Sequence, residues 1–208
     1  MKLALASLLV LTSFTHAHAE DTGMKLMQVM MRCPAISSDS KHVAIYSLAA
    51  GKDKAAKTSL AVFGGTGKLE QRIDVVPPNT DAVRATSDAA KISKVLDDGA
   101  YKRMSRVAQK DAKSDKATFT AQLSSEDAVL DVKIAKRKVT ITGTRAGKKL
   151  AAISKTLPKD GPCKTADSYD LPNTMAGFDA TSGLFAFEIT VTEKDTVCFA
   201  HDFVVKLK

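Results

Sequence analysis

Three stretches of the chain share one outline: a short apolar strand, a small polar run, then a longer strand of alternating polarity. They are Ala35–Leu48, Ala121–Ile134 and Ala176–Ile189. In each, an apolar residue (Ile36, Leu123, Phe178) precedes the polar run, and alternation follows at Val43/Ile45, Leu130/Val132 and Phe185/Phe187. A period of two puts alternate side chains on opposite faces of a sheet, whereas a helix would scatter the same residues around its axis. The outline therefore predicts a mainly β fold. It is built of antiparallel, blade-like hairpin repeats near residues 34–76, 118–157 and 175–207, as an open array or as stacked sheets. The polar alternate positions predict sheets with one wet face.

Between the units the pattern changes. Gly64-Gly65-Thr66-Gly67 separates two β-patterned runs and reads as a hairpin turn, because Gly tolerates positive φ. Residues 79–116 form a helical insertion. Ser87 is a candidate N-cap and Gly99 a candidate C-terminal stop, and Ile92, Val95 and Leu96 sit at helix spacing, which predicts a helix over Asp88–Asp98. Tyr101 to Lys116 is basic and weakly patterned and reads as a surface connection. Asp21 to Arg32 fits a short helix or an apolar strand, and Pro34 argues against a helix running past Cys33. Pro158 to Pro172 is rich in turn formers and reads as a linker.

The first nineteen residues read as a signal peptide. Lys2 supplies the positive start, Leu3 to Phe14 is a short apolar run, and Ala17-His18-Ala19 fits the small-x-small cleavage rule. The expected mature chain, residues 20–208, is a single exported β-rich domain in the periplasm or the medium, with no membrane-spanning segment. Lys2 is the only charge lost, so the formal net charge falls from +8 to +7. That excess suits contact with an anionic envelope surface, or with another exported protein. On adjacent turns, Lys136, Arg137, Lys138, Arg145, Lys148 and Lys149 could form a cationic patch for it. No aromatic residue interleaves with them, so a stacking platform for nucleic acid is not indicated.

Export favours a disulfide among the three cysteines, Cys33, Cys163 and Cys198. The expected pair is Cys163–Cys198, because the Gly161-Pro162-Cys163 loop can adjust to bridge geometry, with Cys33 left over. Cys33–Cys198 is the rival. No C-x-x-C occurs, and no cofactor motif is present. Gly64–Lys68 lacks the following helix that a phosphate loop needs. The mature chain has two histidines, His42 and His201, and neither an H-E-x-x-H nor a G-x-S-x-G sequence. A hydrolase would have to gather carboxylates such as Asp39, Glu126 and Asp179 at one site. Met24, Met27 and Met30, with Met31 and Cys33 following, offer soft sulfur at a spacing that suits Cu(I). The competing reading is that the methionines fill a core or docking surface.

Ser37-Ser38-Asp39-Ser40-Lys41 before a strand, and Thr66-Gly67-Lys68 after one, resemble the turns of β-propeller blades in Tol-Pal-associated and WD-like proteins. Those blades carry Ser-Pro-Asp-Gly-Lys at the first place. The second unit begins 86 residues after the first and the third 55 after that. Blades recur at about 40–45 residues, so the resemblance implies blade-like units in an open array. It implies no activity, because propellers host many. The expected function is that of an exported, non-enzymatic binding or structural protein. The alternatives are a secreted hydrolase without a recognisable motif and a periplasmic copper-binding protein using the methionine cluster.

Overall fold

The computed structural model describes residues 22–50, 56–76, 81–110, 118–123, 128–135, 137–145, 147–157, 168–170, 176–193 and 196–207. Among the described residues the fold is mainly β, with antiparallel sheets, two helices and no closed barrel. The first sheet holds β1 (Ala35–Ile36), β2 (His42–Ala50), β3 (Ala56–Gly64), β4 (Leu69–Val75) and β5 (Lys102–Arg103), in the order β4-β3-β2-β1-β5. The second holds β6 (Ser105–Lys110), β7 (Thr118–Leu123), β8 (Ala128–Ala135), β9 (Lys138–Arg145), β10 (Lys148–Thr156), β11 (Ser168–Asp170), β12 (Gly177–Asp179), β13 (Leu184–Glu193) and β14 (Thr196–Lys206). Its order is β10-β9-β8-β7-β6-β12-β13-β11, with β14 on the free side of β13.

Each of the three outlined stretches is an antiparallel hairpin. Ile36 lies opposite Val43, Ala121 opposite Leu130, and Phe178 opposite Phe185. The first two continue alike, as the meanders β1-β2-β3-β4 and β7-β8-β9-β10. Alternation then decides the layers. On one face of the first sheet, Ala44, Tyr46, Leu60 and Val62 pack under the helices; on the other, Val43, Ile45, Ala61 and Phe63 meet Leu184, Ala186 and Val204 of the second sheet. The far face of the second sheet buries Leu130, Val132, Ile134 and Ile141 with Phe178, Phe185, Phe187 and Ile189. These residues come from strands well separated in the sheet order, so the sheet curls over its own core. β13 is consequently covered on both sides: Leu184 to Ile189 are all buried. The expectation of one wet face fails there, because the first sheet lies on the side that reads as polar.

The described part of α1 is residues 22–32, and α2 is Ala82–Asp98. Ala85, Ala89, Ile92 and Leu96 of α2 recur at three- and four-residue steps and are fully buried. Gly99 ends the helix as expected, its N–H bonding the Val95 carbonyl. The start is earlier than expected. Asp81, not Ser87, is the N-cap: its carboxylate accepts from the Arg84 N–H at 2.9 Å. Tyr101 to Lys110 is a second correction, since it supplies β5 and β6 instead of a surface connection. The two strands carry the chain from the first sheet into the second, and β6 joins β7 to β12.

Candidate functional site

The contact between the sheets is apolar at one end and polar at the other. Along β13, Leu184, Ala186 and Glu188 share the face turned to the first sheet. Their direct partners on β14 are Lys206, Val204 and Asp202. Ala186 and Val204 are an apolar pair, and the next pair is two carboxylates, Glu188 and Asp202. Glu188 is 3% exposed, and so is the side chain of Asp202. The first sheet answers with hydroxyls: Ser47 and Ser59 are register partners, both buried, with their Oγ atoms 3.4 Å apart.

Asp202 hydrogen-bonds the Ser47 side chain and lies 3.6 Å from the Arg72 guanidinium of edge strand β4. Its Oδ1 is buried without a hydrogen-bond partner. Glu188 accepts from Thr190 Oγ1 at 3.4 Å. Burial dominates the titration of Asp202, pushing it up to about 6 against the opposing pull of Arg72 and Ser47. Nothing in the sequence marked this seam. Glu188 and Asp202 occupy alternate positions in strands, where a charge ordinarily faces water.

The carboxylates expected of a hydrolase serve turns. Asp39 Oδ1 accepts from Ser37 Oγ at 2.5 Å and from the Lys41 N–H at 3.0 Å, holding the β1–β2 turn. Those bonds, Ser37 first, lower its titration below the usual carboxylate range. His42 lies between Asp39, at 3.6 Å, and Glu70, at 3.4 Å. Asp179 Oδ2 accepts from the Ser182 N–H in the β12–β13 turn at 2.7 Å. Glu126 lies outside the described residues. Among the described residues, no three His, Cys, Asp or Glu side chains gather as a metal site.

The methionines face outward. Met24, Met27, Met30 and Met31 are 61%, 56%, 41% and 53% exposed, while Thr22, Leu26 and Val29 turn inward. The reading of these methionines as core filler therefore fails. At 100° per residue the four fall within an arc of about 120°. Cys33 does not share that face. It is free and fully buried against the first sheet, and burial pushes its thiol up to about 12. A thiol so held stays protonated and is a poor ligand.

The basic residues divide. The turn with Arg137 and Lys138 lies at one end of β9, and Arg145, Lys148 and Lys149 lie at the other. Arg137 donates to the Leu157 carbonyl, and Arg145 donates to the Ala180 carbonyl and covers the Phe178 ring. β9 has eight residues, so about 25 Å separates the two groups. They are two small groups, not one patch. Lys136 lies outside the described residues. So does Cys163, and of Cys198 only the backbone place in β14 is described. No described helix is long and apolar enough to cross a membrane. No family model matches the chain, and no curated protein or solved structure was found to match it.

Proposed function

We propose that the chain is an exported, non-enzymatic binding protein that takes up Cu(I) on the outer face of α1. One observation carries the reading: four thioethers stand exposed on a single helical arc. Thioether sulfur is a soft ligand and suits Cu(I). Met27 is the hub of the set. Met24 lies three residues before it, Met30 three after and Met31 four after, which brings Cβ atoms to about 5–6 Å. Met side chains are long and flexible, so three sulfurs can close on one ion. Cys33 is left out of the set, under the helix.

The test is titration of the full chain with Cu(I) against a competing chelator. Met27→Ala should weaken binding by about tenfold or more, equivalent to about 1.4 kcal/mol. Met30→Ala should cost less, because Met31 can replace it. Equal affinity in wild type and Met27→Ala would leave the methionines as an apolar face and end the proposal.

Export rests on the leader pattern and belongs to the same proposal. One peptide map of material recovered from the periplasm or medium reads both of its markers. The N-terminal peptide should begin at Glu20, and under non-reducing conditions the Cys163 peptide should be linked to the Cys198 peptide. An intact leader would remove the export reading. A Cys33–Cys198 link would overturn the pairing, and it would require the buried Cys33 to leave its place under α1.

A further inference from the structure

We propose that the outer face of α1 is a site of reversible methionine oxidation, and that sulfoxides formed there release Cu(I). The inference rests on the copper reading of the same four thioethers and names what regulates them. The sulfur lone pair that binds Cu(I) is also the nucleophile toward a peroxide, so the two uses exclude each other. In the step, the Met27 sulfur attacks one oxygen of hydrogen peroxide. The S–O bond forms as the O–O bond breaks, and the second oxygen leaves as water with both protons. The sulfur loses two electrons and the peroxide gains them. The product presents a hard oxygen where a soft sulfur stood, and Cu(I) selects sulfur.

The fold sorts its described sulfur atoms by exposure. Met24, Met27, Met30 and Met31 are exposed, whereas Met104 is 4% exposed and packs between the sheets with Ile36, Val43, Ile45 and Leu184. A sulfoxide at Met104 would put a polar oxygen into that core. Cys33 is fully buried, and burial pushes its thiol up to about 12, so almost no thiolate competes for the oxidant. Met175 lies outside the described residues. Oxidant therefore reaches sulfur where the fold does not depend on it.

The seat of α1 is independent of its methionines. Thr22 Oγ1 lies 2.6 Å from Thr86 Oγ1 of α2 near one end of the helix, and Arg32 pairs with Asp97 at 2.9 Å near the other. Between them Val29 and Leu26 pack on the first sheet's core with Cys33. Sulfoxides on the opposite face change the ligand set and leave these contacts in place. The modification is thus a switch of binding, not of folding.

Peroxide treatment of the full chain, followed by peptide mass mapping, tests this. Sulfoxide should form on the α1 methionines about tenfold or more faster than on Met104. Cu(I) affinity should then fall about tenfold or more, the loss expected of Met27→Ala, while the denaturant midpoint stays unchanged. Methionine sulfoxide reductases of both epimer specificities, with a thiol reductant, should restore binding, and the reductant alone should not. Oxidation of α1 no faster than of Met104, a fallen midpoint, or binding that the reductases fail to restore would overturn the proposal. Equal Cu(I) affinity before and after α1 is oxidised would overturn it and leave the copper reading standing. A chain that binds no Cu(I) before oxidation would end the copper reading, and the release step with it.

Discussion

Phe187→Ala should destabilise the fold by about 3–5 kcal/mol. Phe187 is fully buried, with ring centroids 4.7 Å from Phe185 and 5.1 Å from Phe203, both stacked. Phe203 is its cross-strand partner on β14, so the three rings tie β13 to β14 on the curled sheet's core side. Truncation removes buried area, leaves a cavity and breaks two ring contacts. The surrounding strands are held by their own ladders, so the hole can collapse only partly. A domain of ordinary stability has about 5–15 kcal/mol in all, so the loss should show as a large fall in denaturant midpoint with little change in slope. Val83→Ala is the control. Val83 is 84% exposed on α2, and its truncation should stay within about 0.5 kcal/mol. A loss below about 1 kcal/mol for Phe187→Ala would mean that the curled sheet is not one core.

The hairpins were legible because their alternation is strong and their turns use residues with a reason to be there. Ser37 and Asp39 hold one turn, Asp179 and Gly183 another, and Gly67 at φ +79° a third. α2 was legible where Ile92 and Leu96 set the period. Its first two turns were not, because Ala82 to Asp88 buries only Ala85 and Asp88, and a cap such as Asp81 is visible only once the helix is known. β5 and β6 were hidden for a different reason. β5 pairs with β1 and the start of β6 with β12, both far away in sequence, and local pattern carries no trace of a partner that supplies the ladder. The seam was hidden by the same logic carried one layer up. Period two says which residues share a face, but not whether that face meets water or another sheet. Glu188 therefore reads as solvated until β2 and β3 are laid across it. The methionines show the reverse case, where composition suggested burial and packing turned them out.

Gly67→Ala should cost about 2–5 kcal/mol, and Gly147→Ala only about 1–2. Both glycines have left-handed φ, +79° and +75°, and each connects two antiparallel strands. An Ala at either place pays the same backbone penalty. They differ in what a Cβ would meet. At Gly147 nothing lies within 4 Å, whereas at Gly67 the new atom would collide with the Val204 carbonyl of β14. That carbonyl belongs to a strand fixed by its ladder to β13, so it cannot yield as a flexible side chain would. Two amides of this turn are spent inside it, Gly67 N–H on the Gly64 carbonyl and Gly64 N–H on the Lys68 carbonyl, each within 3 Å. The Gly-rich loop thus serves as a close docking point between the sheets. Paired unfolding curves of the two variants cancel the shared backbone term, leaving the contact at Val204. Equal losses would mean that the turn does not bear on β14. A larger loss at Gly67, with faster hydrogen exchange along β14 beside Val204, would mark the turn as a contact that holds the first sheet against β14.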